Sequence, residues 1–386
     1  LRIALFTDTF APQVNGVTMT LNRLVNYWER KGIEFLVFAP DDAERVEDTD
    51  HIRRVLSFPF PLYPECRIPL SRYAKIEKQL LEFKPDLLHL VTPFTLGLIG
   101  LRFGQRHNVP MVASYHTNFD QYLDYYRLSF LKKMLWSYLN WFHSNCERTY
   151  CPSSATKEIL EANGIPNVEI WSRGIDASRY QPQNRNPHIR EKYGIDDSKL
   201  LLLYVGRMAP EKDIDILLES FHSLPQDVAD RVHLMMVGDG PLMSKIQQQQ
   251  ETSITWTGFL RGRELAEMYA SCDLFVFPSS TETFGNVALE AMASGLPVVG
   301  VEAGGVLDIV THMKNGLLCH ARSVESFREG IALLVRNDNL RLQMAHFARI
   351  QAVRRDWDSV FDRLAKSYLS VLEIESLGRE AFAALK

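Results

Sequence analysis

Two glutamates eight positions apart, Glu282 and Glu290, and two cations five apart, Arg207 and Lys212, are the residues whose type and spacing best suit work on a ligand. Glu282 falls in the loop of Pro278-Ser279-Ser280-Thr281-Glu282-Thr283-Phe284-Gly285-Asn286-Val287, and Glu290 falls about a turn and a half into the helix expected next. At about 1.5 Å per helical residue the eight steps span no more than roughly 12 Å, and somewhat more where the loop is extended. That is the length of a sugar, a diphosphate and a ribose laid end to end. Between the carboxylates, the N–H groups of Phe284, Gly285, Asn286 and Val287 open a helix, where a partial positive charge favours phosphate. Either glutamate alone would serve as well as a loop cap or a packed helix residue. The pair around a helix start points to a ligand.

The cations sit in Tyr204-Val205-Gly206-Arg207-Met208-Ala209-Pro210-Glu211-Lys212-Asp213, directly after a strand-length apolar run. A strand end is the carboxyl edge at which open α/β sheets bind ligands. There, beside Gly206, a guanidinium fork and an ammonium on one short loop can share the terminal oxygens of a diphosphate. Taken alone, Lys212 also fits a solvated helix start. In the first half, His116 follows the run Pro110–Tyr115 and is placed to bond a hydroxyl or handle a proton near neutral pH, although a strand-end histidine is equally often structural. Gly16 sits where the loop after the first strand becomes a helix, so it is either a turn glycine or part of an anion- or hydroxyl-binding edge. The histidines and five cysteines show no metal-ligand spacing and no C-x-x-C pair, so neither a metal nor a cofactor is called for.

Such residues need strands to carry them. Short β-rich runs alternate with amphipathic helical patterns, the signature of parallel sheets covered by helices. Strands are expected at Arg2–Thr7, Glu34–Ala39, Asp86–Val91, Pro110–Tyr115, Thr149–Pro152 and Val168–Trp171, with a long helix over about Leu128–Cys146. The polar, proline-bearing stretch Asp176–Asp197 reads as a linker. After it strands recur at Leu200–Val205, Val232–Val237, Ile254–Thr257, Leu274–Phe277 and Pro297–Gly300, with helices starting near Ile214, Leu242, Arg263 and Asn286. From Val324 onward the pattern is helical. The expected domains are 1–180, 190–355 and a terminal helix, 356–386, crossing back to the first. Gln247–Gln250 reads as a solvated helix end.

With 386 residues, two domains and hence a cleft are the natural size. Apolar residues at 46% exclude extensive disorder, and a net charge of −4 argues against a general nucleic-acid binder. The opening lacks the pattern of a secretion signal and no eighteen-residue apolar stretch occurs, so the expected place is the cytoplasm. The segment 122–142 mixes Tyr125, Tyr126, Phe130, Trp136, Trp141 and Phe142 with Arg127, Lys132 and Lys133. It reads either as a helix for an anionic bilayer surface or as a core helix with solvated lysines.

Taken together, Gly206-Arg207 with Glu211-Lys212, the stretch Glu282 to Glu290 and the order of elements resemble the family 4 glycosyltransferases, retaining enzymes of the GT-B fold: two Rossmann-like, doubly wound α/β domains facing across a cleft. Pro12-Gln13-Val14-Asn15-Gly16-Val17 and Trp171-Ser172-Arg173-Gly174-Ile175-Asp176 are most similar to the glycolipid synthases and GDP-mannose-dependent mannosyltransferases of that family. Asn15-Gly16 stands where many members have two glycines. The resemblance implies transfer of a hexose from a nucleoside-diphosphate sugar, GDP-mannose or a UDP-hexose, to a lipid-linked or saccharide acceptor, as the domains close and exclude water. Arg207 and Lys212 would bind the donor diphosphate. Glu282 and the Phe284-Gly285 backbone would contact the sugar, Glu290 the ribose, and His116 the sugar near the reacting carbon. A sugar-nucleotide epimerase of the same fold and a non-catalytic sugar-binding protein are the alternatives. A nicotinamide oxidoreductase is disfavoured, since the first strand lacks the glycine fingerprint.

Overall fold

A computed structural model describes residues 1–13, 15–41, 49–59, 67–69, 72–118, 129–243 and 252–384. It divides the chain into two compact units, Leu1–Ser172 with Asp358–Lys386, and Arg173–Trp357.

The first unit is built on a seven-stranded parallel sheet. Its strands are β1 (Arg2–Phe6), β2 (Glu34–Pro40), β3 (Ile52–Val55), β6 (Leu87–Leu90), β7 (Met111–Ser114), β8 (Arg148–Cys151) and β9 (Val168–Ile170), in the order β3-β2-β1-β6-β7-β8-β9. An antiparallel ribbon of β4 (Ser57–Pro59) and β5 (Arg67–Pro69) stands apart. Near-continuous apolar runs suit central strands of a parallel sheet, and Ile3 to Phe6 are fully buried, with Phe6 stacked on Phe38 at 5.0 Å. The helix Gly16–Lys31 starts where Asn15 Oδ1 accepts from Thr18 N at 2.9 Å. It ends at Gly32, whose φ of 67° closes the last turn, with Arg30 and Lys31 at the negative end of the dipole. The terminal helix Trp357–Ala384 lies on this unit: Tyr27 Oη donates to Asp362 at 2.5 Å, and Tyr368 Oη meets the buried His89 Nδ1 at 2.7 Å.

Strand order reverses between β1 and β6, and Asp8 ties the loops that follow these two strands. Its backbone N–H donates to Thr92 Oγ1 at 2.9 Å, and its carboxylate accepts from the Thr92 hydroxyl at 2.7 Å and from Leu96 N at 3.0 Å. Burial raises its pKa from 3.8 to about 6, against the pull of those hydrogen bonds. A folded-state pKa above the unfolded one means that the protonated carboxyl favours the native state, and this contribution is lost as pH rises through about 6. At about 1.36 kcal/mol per unit, the loss is roughly 3 kcal/mol. Asp8→Asn is therefore expected to flatten the decline in thermal stability between about pH 4 and pH 7. An unchanged slope in the variant would show that Asp8 does not titrate there.

The second unit carries a six-stranded parallel sheet of β10 (Leu200–Val205), β11 (Val232–Val237), β12 (Ile254–Gly258), β13 (Leu274–Phe277), β14 (Val298–Val301) and β15 (Gly316–Cys319). The order is β12-β11-β10-β13-β14-β15, so the reversal falls between β10 and β13. Two parallel-sheet α/β units are what the alternation of runs predicted. The linker-like stretch Asp176–Asp197 is instead folded, with a 3-10 turn at Pro182–Asn184 and a helix at Ile189–Tyr193. Tyr180, Ile189 and Ile195 join this unit's core, and the Arg349 guanidinium gathers the carbonyls of Ala177, Tyr180 and Ala293. Strands β3, β4, β5 and β15 were not expected from the sequence.

The expected helix Leu128–Cys146 appears as a 3-10 turn at Ser129–Leu131 and a helix at Lys132–Ser144. Leu139 and Phe142 are buried, whereas Phe130, Met134 and Trp141 are exposed. Tyr122, Tyr125, Tyr126 and Arg127 lie outside the described residues, as do Val14, Cys66, Gln247–Gln250 and most of the helix expected from Leu242. No helix among the described residues is long and apolar enough to cross a membrane.

Candidate functional site

Strand order reverses between β10 and β13, and in open α/β sheets ligands are taken at the carboxyl ends of the strands at such a reversal. The loop leaving β10 carries Gly206 to Lys212, and the loop leaving β13 carries Pro278 to Gly285. Tyr204, fully buried on β10, sets the first loop: its hydroxyl donates to Arg207 O at 3.2 Å. A Cβ at Gly206 would come within 2.7 Å of that phenol oxygen, so glycine is what lets the ring fold back. The Arg207 guanidinium bonds the Glu211 carboxylate, and Pro210–Lys212 makes a 3-10 turn that brings Lys212 around.

Lys212 Nζ reaches Glu282 Oε1 at 2.5 Å, joining the two loops. Thr281 Oγ1 donates to Glu211 O at 2.8 Å, and Ser280 donates to Asp213 Oδ2 from its backbone N–H at 2.9 Å and from its hydroxyl at 2.6 Å. A third loop, after β14, supports Glu282: Gly305 N donates to Glu282 O at 2.8 Å. A Cβ on Gly304 would stand only 2.5 Å from that oxygen. Lys212 and Glu282 are about one-fifth exposed, 21% and 20%, which leaves their attraction less screened than that of a surface pair. The same charges are felt at Tyr204, whose phenol is raised well above its usual pKa, by burial first and then by the Glu282 and Glu211 carboxylates.

Farther along, Gly285 with φ of 95° opens the helix Asn286–Ala293, a backbone conformation that L side chains rarely hold. Ala288 N and Leu289 N both donate to Gly285 O, at 3.0 and 3.2 Å. Asn286 and Val287 precede that ladder, as the first amides of a helix do. Phe284 is buried at 2% exposure, and Gly305 lies so close to its backbone that a Cβ there would stand 2.5 Å from Phe284 N. Glu290 accepts from Tyr269 Oη at 3.1 Å. Tyr269 is fully buried and its ring meets Tyr180 edge-on at 5.7 Å; burial and the Glu290 charge raise its pKa.

Arg207, Lys212 and Glu282 thus form one contiguous polar cluster, with the helix carrying Glu290 leaving the same loop. The sequence assigns Arg207 and Lys212 to a ligand and gives them no partners in the chain. In the structure each already has a carboxylate. Glu211 belongs to the motif with Lys212 but has no expected role as a partner of Arg207, and Asp213 and Tyr269 carry no expectation because their contacts, Ser280 and Glu290, come from distant parts of the chain.

The remaining candidates belong to the first unit. Gly16 is the first residue of its helix, and its carbonyl accepts from Thr20 Oγ1 at 2.8 Å. The loop before it is gathered by Thr9 Oγ1, which bonds Gln13 at 2.7 Å, Asn15 at 2.9 Å and Thr18 at 3.1 Å. His116 follows β7 and packs against Trp171, ring centroids 5.4 Å apart at 61°.

Residues 14–179 match the model of the family described as Glycosyltransferase Family 4, and residues 185–351 that of Glycosyl transferases group 1. A GDP-mannose-dependent alpha-mannosyltransferase of Mycobacterium tuberculosis is 36% identical over 96% of this chain and 97% of its own. The sulfoquinovosyl transferase SQD2 of Arabidopsis thaliana is 31% identical over 96% and 73%, respectively. An alpha-monoglucosyldiacylglycerol synthase of Streptococcus pneumoniae is 29% identical over 78% and 70%. Among solved structures, Anabaena HepE in complex with UDP superposes with a TM-score of 0.76 at 19% identity, over 96% of this chain and 100% of its own. Sucrose-phosphate synthase from Thermosynechococcus elongatus gives 0.75 at 18%, over 99% of both chains. At these identities the structures speak for a shared fold.

Proposed function

The chain belongs to the family 4 glycosyltransferases, and from that premise we propose that residues 173–357 bind GDP-mannose and that mannose passes, with retention, to a hydroxyl of a lipid-linked or glycolipid acceptor. The observation that carries the reading is the Lys212–Glu282 contact at the reversal of strand order. At rest, each cation is neutralised by a carboxylate. A donor diphosphate offers Arg207 and Lys212 a more highly charged partner, and its arrival frees Glu282 to accept protons from sugar hydroxyls. Departure of the nucleoside diphosphate leaves negative charge on the β-phosphate, which both cations and the amides at Asn286 and Val287 are oriented to stabilise. Glu290, oriented by Tyr269, takes the ribose hydroxyls. For Gly16 and His116, which belong to the first unit, the family resemblance implies donor contacts, His116 near the reacting carbon of the sugar.

GDP-mannose is favoured over a UDP-hexose because three relatives bearing the GDP-mannose name are 30–36% identical over at least 96% of this chain. A lipid acceptor is supported by the relative named for a glucosyldiacylglycerol product. Exposed Phe130, Met134 and Trp141 beside Lys132 and Lys133 also suit peripheral contact with an anionic membrane surface. The test is donor consumption with and without glycolipid acceptor, together with thermal shifts. GDP at about 100 times its Kd is expected to stabilise the protein by roughly 2.7 kcal/mol, and label from GDP-mannose should enter the glycolipid. Failure of every nucleoside diphosphate to shift the melting curve would reject the binding site, and conversion of donor alone to an isomer would reject transfer.

A further inference from the structure

Asp213 stands at the head of the helix Ile214–His222, where an aspartate ordinarily accepts from the amides of its own first turn. It does not do so here: it makes no side-chain cap bond. Its carboxylate instead crosses to the loop after β13, where Oδ2 receives both the backbone N–H and the hydroxyl of Ser280, 67 positions away. Arg322 Nε stands 3.6 Å from Oδ1. The residue is 8% exposed and holds φ of 51°, a left-handed conformation that glycine adopts with less strain. A side chain kept at a strained position, and turned away from its local partner, is best explained by the distant contact. That contact has a clear geometric effect: Asp213 adjoins Lys212, and Ser280 is two residues from Glu282, so one carboxylate sets how the two ligand-bearing loops lie against each other.

We propose that Asp213 is a positioning residue for sugar transfer, clamping the Ser280–Glu282 segment against the Glu211–Lys212 turn so that Lys212 and Glu282 address the same donor. The inference rests on the donor-site reading above and adds to it a residue that touches no substrate. Glycine separates the two roles of the position, since it satisfies the backbone conformation and removes the clamp. In Asp213→Gly, relief of the left-handed strain offsets part of the stability lost with the two Ser280 bonds, and kcat is expected to fall roughly 10-fold while affinity for GDP changes less than about 3-fold. Asp213→Asn keeps an acceptor for Ser280 and should recover activity to within about 3-fold of the parent.

Full activity in Asp213→Gly would overturn the proposal. Should that variant melt early, Ser280→Ala decides the matter, since it removes the hydroxyl bond to Asp213 Oδ2 and leaves the residue at position 213 unchanged: a fall in kcat supports the clamp, and a parent-like kcat overturns it. Lys212→Ala is the separate control. If it turns over like the parent, the donor-site reading itself fails, whatever Asp213 does.

Discussion

Arg207→Ala and Lys212→Ala are each expected to lower kcat by roughly 10²–10³-fold with a far smaller change in donor KM, the loss seen when one donor to a developing anion is removed. On the proposed reading, the ground-state diphosphate is held by several groups, including the amides at the start of the helix Asn286–Ala293. Charge on the β-phosphate grows as the glycosidic bond breaks, so the cations contribute most at that moment. Each substitution also leaves a partly buried carboxylate without its cation: Glu211 in one case, and Glu282, about one-fifth exposed, in the other. Repulsion between that carboxylate and the leaving diphosphate acts in the same direction as the lost attraction. Arg207→Lys should restore little, because an ammonium lacks the planar fork that bonds two phosphate oxygens at once. Steady-state kinetics with saturating acceptor checks the expectation; parent-like kcat in both alanine variants would refute it.

Glu290→Ala is expected to act at the opposite end of the donor, raising donor KM by roughly 10–100-fold while kcat stays within a few-fold. A carboxylate on the ribose hydroxyls makes the same bonds before and during the reaction, which is uniform binding. Tyr269→Phe should shift KM in the same direction by less, since it removes only the 3.1 Å bond that orients the carboxylate. A fall in kcat at unchanged KM would place Glu290 at the reacting centre and not at the nucleoside.

Central strands and ligand loops differ in what the chain displays. Leu200–Val205, Val232–Val237 and Leu274–Phe277 are almost wholly apolar and stop at glycine or proline, so their ends are visible in the residues themselves. β3 reads Ile-Arg-Arg-Val at a sheet edge, where one side meets water and the apolar run disappears. β15, also an edge strand, is four residues long and begins with glycine. The stretch Asp176–Asp197 is polar enough to pass for a linker, yet its few apolar residues, Tyr180, Ile189 and Ile195, are spaced to reach the core.

For the candidate site, Arg207, Lys212 and Glu282 are legible because each lies on a loop that leaves a strand, and Glu290 because it follows Glu282 by eight positions, inside the next helix. Their partners are not. The pairing of Lys212 with Glu282 spans 70 positions and that of Asp213 with Ser280 spans 67. Such contacts depend on β10 lying next to β13, which periodicity does not disclose. Tyr269 carries no local signal at all, since a tyrosine in an amphipathic helix looks like core.

The most direct measurement is a crystal structure with GDP-mannose bound, or with an unreactive analogue of it. Arg207 and Lys212 should each lie within about 3 Å of a diphosphate oxygen, with the Lys212–Glu282 bond opened and the ribose on Glu290. A nucleotide bound elsewhere, with that bond intact, would contradict the account.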